Sequence, residues 1–236
     1  MQPGQSRQHW RGLAPRSSRS AIALGLLPVL IALGLGAQTT VAEWPQYLGP
    51  ERDGVYRGPA LVDNWGSGGP KVVWTKPVGQ GFSGPVVADG RLILFHRVGE
   101  SEVVQSLDAR TGAEQWSYGY PTSYRDDFGF DEGPRAVPVV ANGIVYTFGA
   151  EGQLHAVSLT TGTRRWSEDT TGRFKVAKGF FGAAGSPIVE DGRVIANVGG
   201  DAARSGRSDF HLRRVRTGGS CASARGDDAD GPVGLE

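Results

Sequence analysis

Between residues 119 and 135 lies the densest group of acids, bases and rings in the chain: Tyr120, Tyr124, Arg125, Asp126, Asp127, Phe128, Phe130, Asp131, Glu132 and Arg135. Carboxylates this close together suit a hard cation such as calcium, which takes about six to eight oxygens. The spacing matches no calcium-loop pattern. The plainer expectation is a solvated connection whose arginines pair with its acids. Loops carry function more often than strands do. Arg125, Asp126, Asp127, Asp131, Glu132 and Arg135 therefore stand as ligand-loop candidates.

Other chemistries find less. His96 and His155 lie in different repeats on strand-like runs, and one histidine per repeat does not make a metal cluster. The run Gly182-Ala-Ala-Gly185-Ser186 lacks a nucleophile elbow and lacks the Gly-Lys-Ser/Thr ending of a phosphate loop. It reads as small residues before a strand. Cys221 is the only cysteine, which excludes an intrachain disulfide. A net charge of +1 suggests no polyanionic partner such as nucleic acid. No catalytic or metal-ligating residue emerges, and a binding module is expected rather than an enzyme.

What must position the cluster is a repeat. Pro85-Val-Val-Ala-Asp-Gly-Arg-Leu-Ile-Leu-Phe95 and Pro138-Val-Val-Ala-Asn-Gly-Ile-Val-Tyr-Thr-Phe148 open two copies. Ser106-Leu-Asp108-Ala-Arg-Thr111-Gly112-Ala-Glu-Gln-Trp116 and Ala156-Val-Ser158-Leu-Thr-Thr161-Gly162-Thr-Arg-Arg-Trp166 close them. A third opening runs from Pro187 to Asn197. A period of about 50 residues signals a repeat architecture. Asp89-Gly90, Asn142-Gly143 and Asp191-Gly192 suit two-residue hairpin turns, where both residues need positive φ. A third strand follows at Val103–Leu107 or Gln153–Leu159, then a Thr-Gly turn and a fourth strand carrying tryptophan. Four short strands per period predict an all-β, partial propeller of four-stranded blades. The docking set is Ser106, Thr111, Gly112 and Trp116, repeated as Ala156, Thr161, Gly162 and Trp166. In it each indole fills the wedge between blades and needs a partner for its N–H. Thirty-seven glycines fit a turn-rich chain. No helix-period segment is evident after residue 43.

The Ala/Ser-x-Asp/Ser-x-x-Thr-Gly-x-x-x-Trp phrase resembles the tryptophan-docking motif of pyrroloquinoline-quinone (PQQ) repeat β-propellers. Trp44-Pro-Gln-Tyr-Leu-Gly-Pro-Glu-Arg-Asp-Gly54 and the stretch from Gly133 to His155 resemble the same bacterial-envelope family. The resemblance covers about residues 44 to 200. It implies an exported protein, periplasmic or secreted. Its function would be that of a non-catalytic binding or scaffold module, with no cofactor of its own. Envelope proteins would be its partners, taken by strand addition or by rim-loop contacts. The alternative implied is a fragment of a quinoprotein alcohol or sugar dehydrogenase holding PQQ with calcium. The paired cysteines that many alcohol-oxidising members carry are missing here.

In chain order, residues 1–42 read as a signal peptide. Arg7, Arg11, Arg16 and Arg19 precede an apolar run from Ala21 to Gly36. Cleavage after Ala42 is favoured, and a retained anchor is the alternative. After cleavage no stable membrane span is expected. Residues 43–69 form an extended lead-in, with Trp44, Tyr47 and Trp65 expected against the propeller's side. Residues 70–200 form the blades, and Lys71–Val78, with Trp74, is expected as one outer strand. Residues 201–236 lose the periodicity. They are expected to be a disordered or out-of-frame tail, with the frame shift or truncation near Asp201.

Overall fold

The computed structural model describes residues 42–198 and the backbone of a strand at 210–214. Residues 1–41, with the expected signal, and the rest of the expected tail lie outside the described residues.

Blade 1 is an antiparallel sheet of β1 (Val86–Ala88), β2 (Arg91–Val98), β3 (Ser101–Asp108) and β4 (Glu114–Pro121), paired in that order. Blade 2 repeats it with β5 (Val139–Ala141), β6 (Ile144–Phe148), β7 (Gln153–Ser158) and β8 (Arg164–Asp169). Both residues of each first-hairpin turn have positive φ. The values are 51° and 68° at Asp89-Gly90, 52° and 72° at Asn142-Gly143, and 46° and 69° at Asp191-Gly192. The chain therefore bends as a type I′ turn wherever Asp-Gly or Asn-Gly interrupts a β-branched run. Opposite each blade tryptophan the ladder slips, between Ser106 and Leu107 in one copy and Ala156 and Val157 in the other. Such a bulge re-aims the strand. Ser106 is the cross-strand partner of Trp116 and Ala156 that of Trp166, so the small residue belongs to the indole's own blade.

The apolar core lies between blades. Val86, Ile93, Phe95, Val104 and Trp116 of blade 1 meet Val145, Val157 and Leu159 of blade 2. The other face of blade 2, with Val139, Tyr146, Phe148 and Leu154, meets Val194 of the next. Burial on both faces is why these strands read as continuous apolar runs.

Four expectations change. Thr170–Phe174 form a one-turn helix, α1, too short to leave a periodic signature; Asp169 caps it by accepting from the Gly172 N–H. Lys71–Val78 joins no ladder, although its tryptophan docks as described below. Tyr47 and Trp65 are exposed, at 57% and 55%. Trp44 instead pairs with Val87 on the inner edge of blade 1. Lastly, the third sheet runs β9 (Ile188–Glu190), β10 (Arg193–Asn197), β11 (Phe210–Arg214), with β11 antiparallel to β10 inside the segment expected to carry no strand. An open edge bonds backbone to backbone, so it does not demand an alternating apolar sequence.

Each blade has two ends. The hairpin turns β1–β2 and β5–β6 and the Thr-Gly turns lie at one. The β2–β3 and β6–β7 turns lie at the other, with the links from one blade to the next.

Candidate functional site

The docking motif is serial. The Trp116 Nε1–H donates to the Leu159 carbonyl of blade 2 at 2.8 Å, and its ring lies over Gly162. The Trp74 Nε1–H donates to Ala109 of blade 1 at 3.2 Å, and its ring lies over Gly112. Gly112 and Gly162 have φ of 72° and 71°, and a Cβ at either would meet the indole at about 2.7–2.8 Å. Glycine is needed there both for the turn and for the approach. Thr111 gives its N–H and hydroxyl to the Asp108 carboxylate at 2.8 and 2.9 Å, holding that carboxyl below its ordinary range. The second copy does this more weakly. There the Thr161 N–H donates to the Ser158 hydroxyl at 3.3 Å, and its own hydroxyl to Thr163 at 3.0 Å. Trp166 packs beside Tyr146, with ring centroids 6.0 Å apart.

At the link end, the acid-rich segment is organised by a residue its own sequence does not contain. Arg97 of β2 is buried and donates to the carbonyls of Gly99 and Tyr124, both at 2.7 Å, and to the carboxylate of Glu100 at 3.1 Å. Arg125 bridges Glu100 and Glu132. The Asp126 carboxylate accepts from the backbone N–H groups of Phe128 and Phe130, at 3.2 and 2.8 Å, with Arg135 beside it at 3.4 Å. Asp131 accepts from the Gly133 N–H at 2.7 Å. Asp127 pairs with Lys178 of the following link at 2.5 Å. Arg135 lies over the Tyr124 ring, 4.7 Å from its centroid. The six ligand-loop candidates are thus brought together, and each is engaged within the links or with Glu100, Arg97 or Lys178.

Beneath them, between blades 1 and 2, is a polar cluster that no motif signalled. His155 is buried, stacks on Tyr120 with centroids 3.8 Å apart, and shares a hydrogen bond of 3.0 Å between its Nδ1 and the Tyr118 hydroxyl. Burial, with Arg164 nearby, lowers its pKa to about 4. Glu102 of β3, 1% exposed, accepts the Ala150 N–H of the β6–β7 turn at 2.8 Å, and burial raises its carboxyl above the ordinary range. Between the unfolded value of 4.5 and the folded value the native state holds the extra proton, so stability falls as pH rises through that window. Glu102→Gln keeps an acceptor for Ala150 and removes the titration. Its stability relative to wild type should climb by up to about 1.4 kcal/mol per pH unit in the window and stay level below it. Urea midpoints of both proteins from pH 4 to 8 check this.

A cleft of about 500 Å3 opens between the two links and the β6–β7 turn. Small and apolar residues, Phe148, Ala150 and Ala183 among them, make up much of its wall. Arg125 and Lys178 also line it, as does Tyr124, whose buried hydroxyl has no hydrogen-bond partner. Glu151, the carboxylate in the wall, accepts from Ser123 and Thr122 at 2.7–2.9 Å. Burial pushes its pKa up, and those donors outweigh the push. Thr170 and Thr171 pin α1 to the same turn through the carbonyls of Gly152 and Glu151. Around the cleft Phe128, Phe130, Phe180 and Phe181 stand 49–74% exposed, with Phe128 and Phe180 centroids 4.4 Å apart.

Calcium and a tricarboxylated quinone would need free oxygens, free cations and a stacking ring. Among the described residues no three of His, Cys, Asp and Glu converge. Glu151 is engaged, and no tryptophan lines the cleft. The described residues do not fit that pair of groups, and no chemical step runs through them.

A PQQ-repeat family model, described as outer membrane protein assembly factor BamB, matches residues 58–124 and 99–208, together more than half of the chain. Quinohemoprotein alcohol dehydrogenase ADH-IIG of Pseudomonas putida is 36% identical over 119 residues. The match takes in 49% of this chain and only 16% of that protein's length. The solved structure of that enzyme from Pseudomonas putida HK5 aligns at 32% identity and a TM-score of 0.44, covering 61% of this chain and 20% of its own. BamB from Moraxella catarrhalis aligns at 18% identity and a TM-score of 0.31, covering 56% and 45%. With blades repeating in register beneath the matched stretches, the chain belongs to the PQQ-repeat β-propeller family, through the family model described as outer membrane protein assembly factor BamB.

Proposed function

We propose that this chain is a non-catalytic binding or scaffold module of the bacterial envelope, exported to the periplasm or beyond, that takes a protein partner on its link-end rim. One observation carries the reading. The ionisable groups of the links pair with one another, while four phenylalanines beside an open cleft remain exposed. Exposed apolar patches of this kind mark interaction sites. Strand addition is the weaker route. The inner edge of blade 1 already carries Trp44, and the outer strands present Glu114, Arg164 and Arg165. Among the described residues no helix is long and apolar enough to cross a membrane.

A photoreactive phenylalanine at position 180 should give a discrete adduct with an envelope protein, and one at the exposed Thr160, beside the Thr-Gly turn at the opposite end, should not. Phe128→Ser with Phe181→Ser should cut the adduct about tenfold or more, as loss of an interface anchor does. Equal labelling from both positions would sink the reading. The second reading, a piece of a PQQ- and calcium-dependent dehydrogenase, is favoured by the 36% identity to the Pseudomonas putida enzyme. Dye reduction by the chain with PQQ, calcium and an alcohol would select it.

A further inference from the structure

The lead-in touches the inner strands of three successive blades within ten residues. The Trp44 N–H donates to the Val87 carbonyl at 2.8 Å, and the Val87 N–H donates back at 2.9 Å. Glu43 accepts the Asp89 N–H at 3.0 Å. The next residue, Pro45, accepts from the Val140 N–H of β5 at 2.8 Å. Proline has no N–H to give, so the pairing ends after one bridge and the carbonyl goes to the neighbouring blade. The chain then folds on itself. Gly54 donates to the Leu48 carbonyl at 2.9 Å, and the Trp44 ring covers Gly49, where a Cβ would meet it at about 2.9 Å. That turn delivers Arg52 to blade 3, where its guanidinium donates to the Val189 carbonyl and to the Glu190 carboxylate, both at 2.9 Å.

We propose that residues 43–52 are an intramolecular brace, a piece of edge strand supplied by the chain itself, which sets the spacing of three blades at their turn end. Inner strands β1, β5 and β9 lie side by side and carry unpaired edges that any extended segment can fill. Here the segment is tethered in the same polypeptide, so it sits at high effective concentration. Arg52 suits the last contact because its planar fork reaches a carbonyl and a carboxylate at once.

Native-state hydrogen exchange of the full chain tests this. Arg52→Ala should speed exchange in peptides covering residues 187–197 about five- to tenfold, the weight of one or two modest polar contacts, and leave residues 101–121 unchanged. Trp44→Ala should speed exchange at residues 85–90 and at Val140. Arg57→Ala, which breaks only exposed contacts with Asp53 and the Val55 carbonyl inside the lead-in, should change neither region. If Arg52→Ala fails to fold, Arg52→Lys, which keeps the charge without the fork, should show a smaller rise confined to the same residues. Unaltered exchange at 187–197, the same rise in Arg57→Ala, or a uniform rise across all blades would overturn the brace.

Discussion

Trp116→Ala should lower the stability of the chain by about 3–5 kcal/mol, the cost of emptying a large aromatic site. The ring is 9% exposed and sits in the interface core of blades 1 and 2. Its loss would also leave the buried Leu159 carbonyl without its 2.8 Å donor. A domain holds only about 5–15 kcal/mol in all, so this one change consumes a large share. Trp116→Phe keeps the apolar bulk without the N–H and should cost less than half as much. Trp74→Ala should also cost less, since that ring is only half-buried and its bond is longer, at 3.2 Å. Urea midpoints order the three variants. Equal losses for Trp116→Ala and Trp74→Ala would refute the claim that the blade interface, more than the ring itself, sets the energy.

Acid should weaken the fold through His155. Its pKa is about 4 in the folded chain against an ordinary 6.5, because burial disfavours the imidazolium and Arg164 adds to the effect. Between those values the unfolded chain binds a proton that the folded chain does not. The contribution is complete above pH 6.5 and falls by about 3 kcal/mol as pH drops towards 4. His96, lowered mainly by burial, adds in the same direction. The His155 share is therefore read as the difference in slope between wild type and His155→Gln. A slope unchanged by that substitution, or an imidazole titrating near 6.5 by NMR in the folded protein, would rule this out.

The blades were legible because their determinants are local. Asp-Gly and Asn-Gly turns, β-branched runs and a tryptophan recur at fixed offsets, and each acts within a few residues of itself. The period did not reveal which way the indole reaches, because Leu159 and Gly162 lie over 40 positions beyond Trp116. The link candidates were found as a cluster, but their roles were not. Arg97 organises them from a strand, and Lys178 pairs with Asp127 from the next link. Neither carries a motif. Glu102 escaped notice and His155 was read only as a lone strand histidine for the same reason, since each meets its partners only when two blades come together. Trp44 was recognised by its phrase yet placed on the wrong surface, because a lone aromatic does not say which edge will receive it.

Because the Trp74 and Trp116 indoles both reach forward, completion of a blade lags behind its synthesis. When Trp116 leaves the ribosome, the carbonyl and the glycine that will seat it have not yet been made. Blade 1 can form its ladders at once, but its outer ring stays unseated until residue 162 has emerged. A nascent chain of this kind carries one unfinished seam at its growing end, moving blade by blade, and a chaperone that reads exposed tryptophan would find it there.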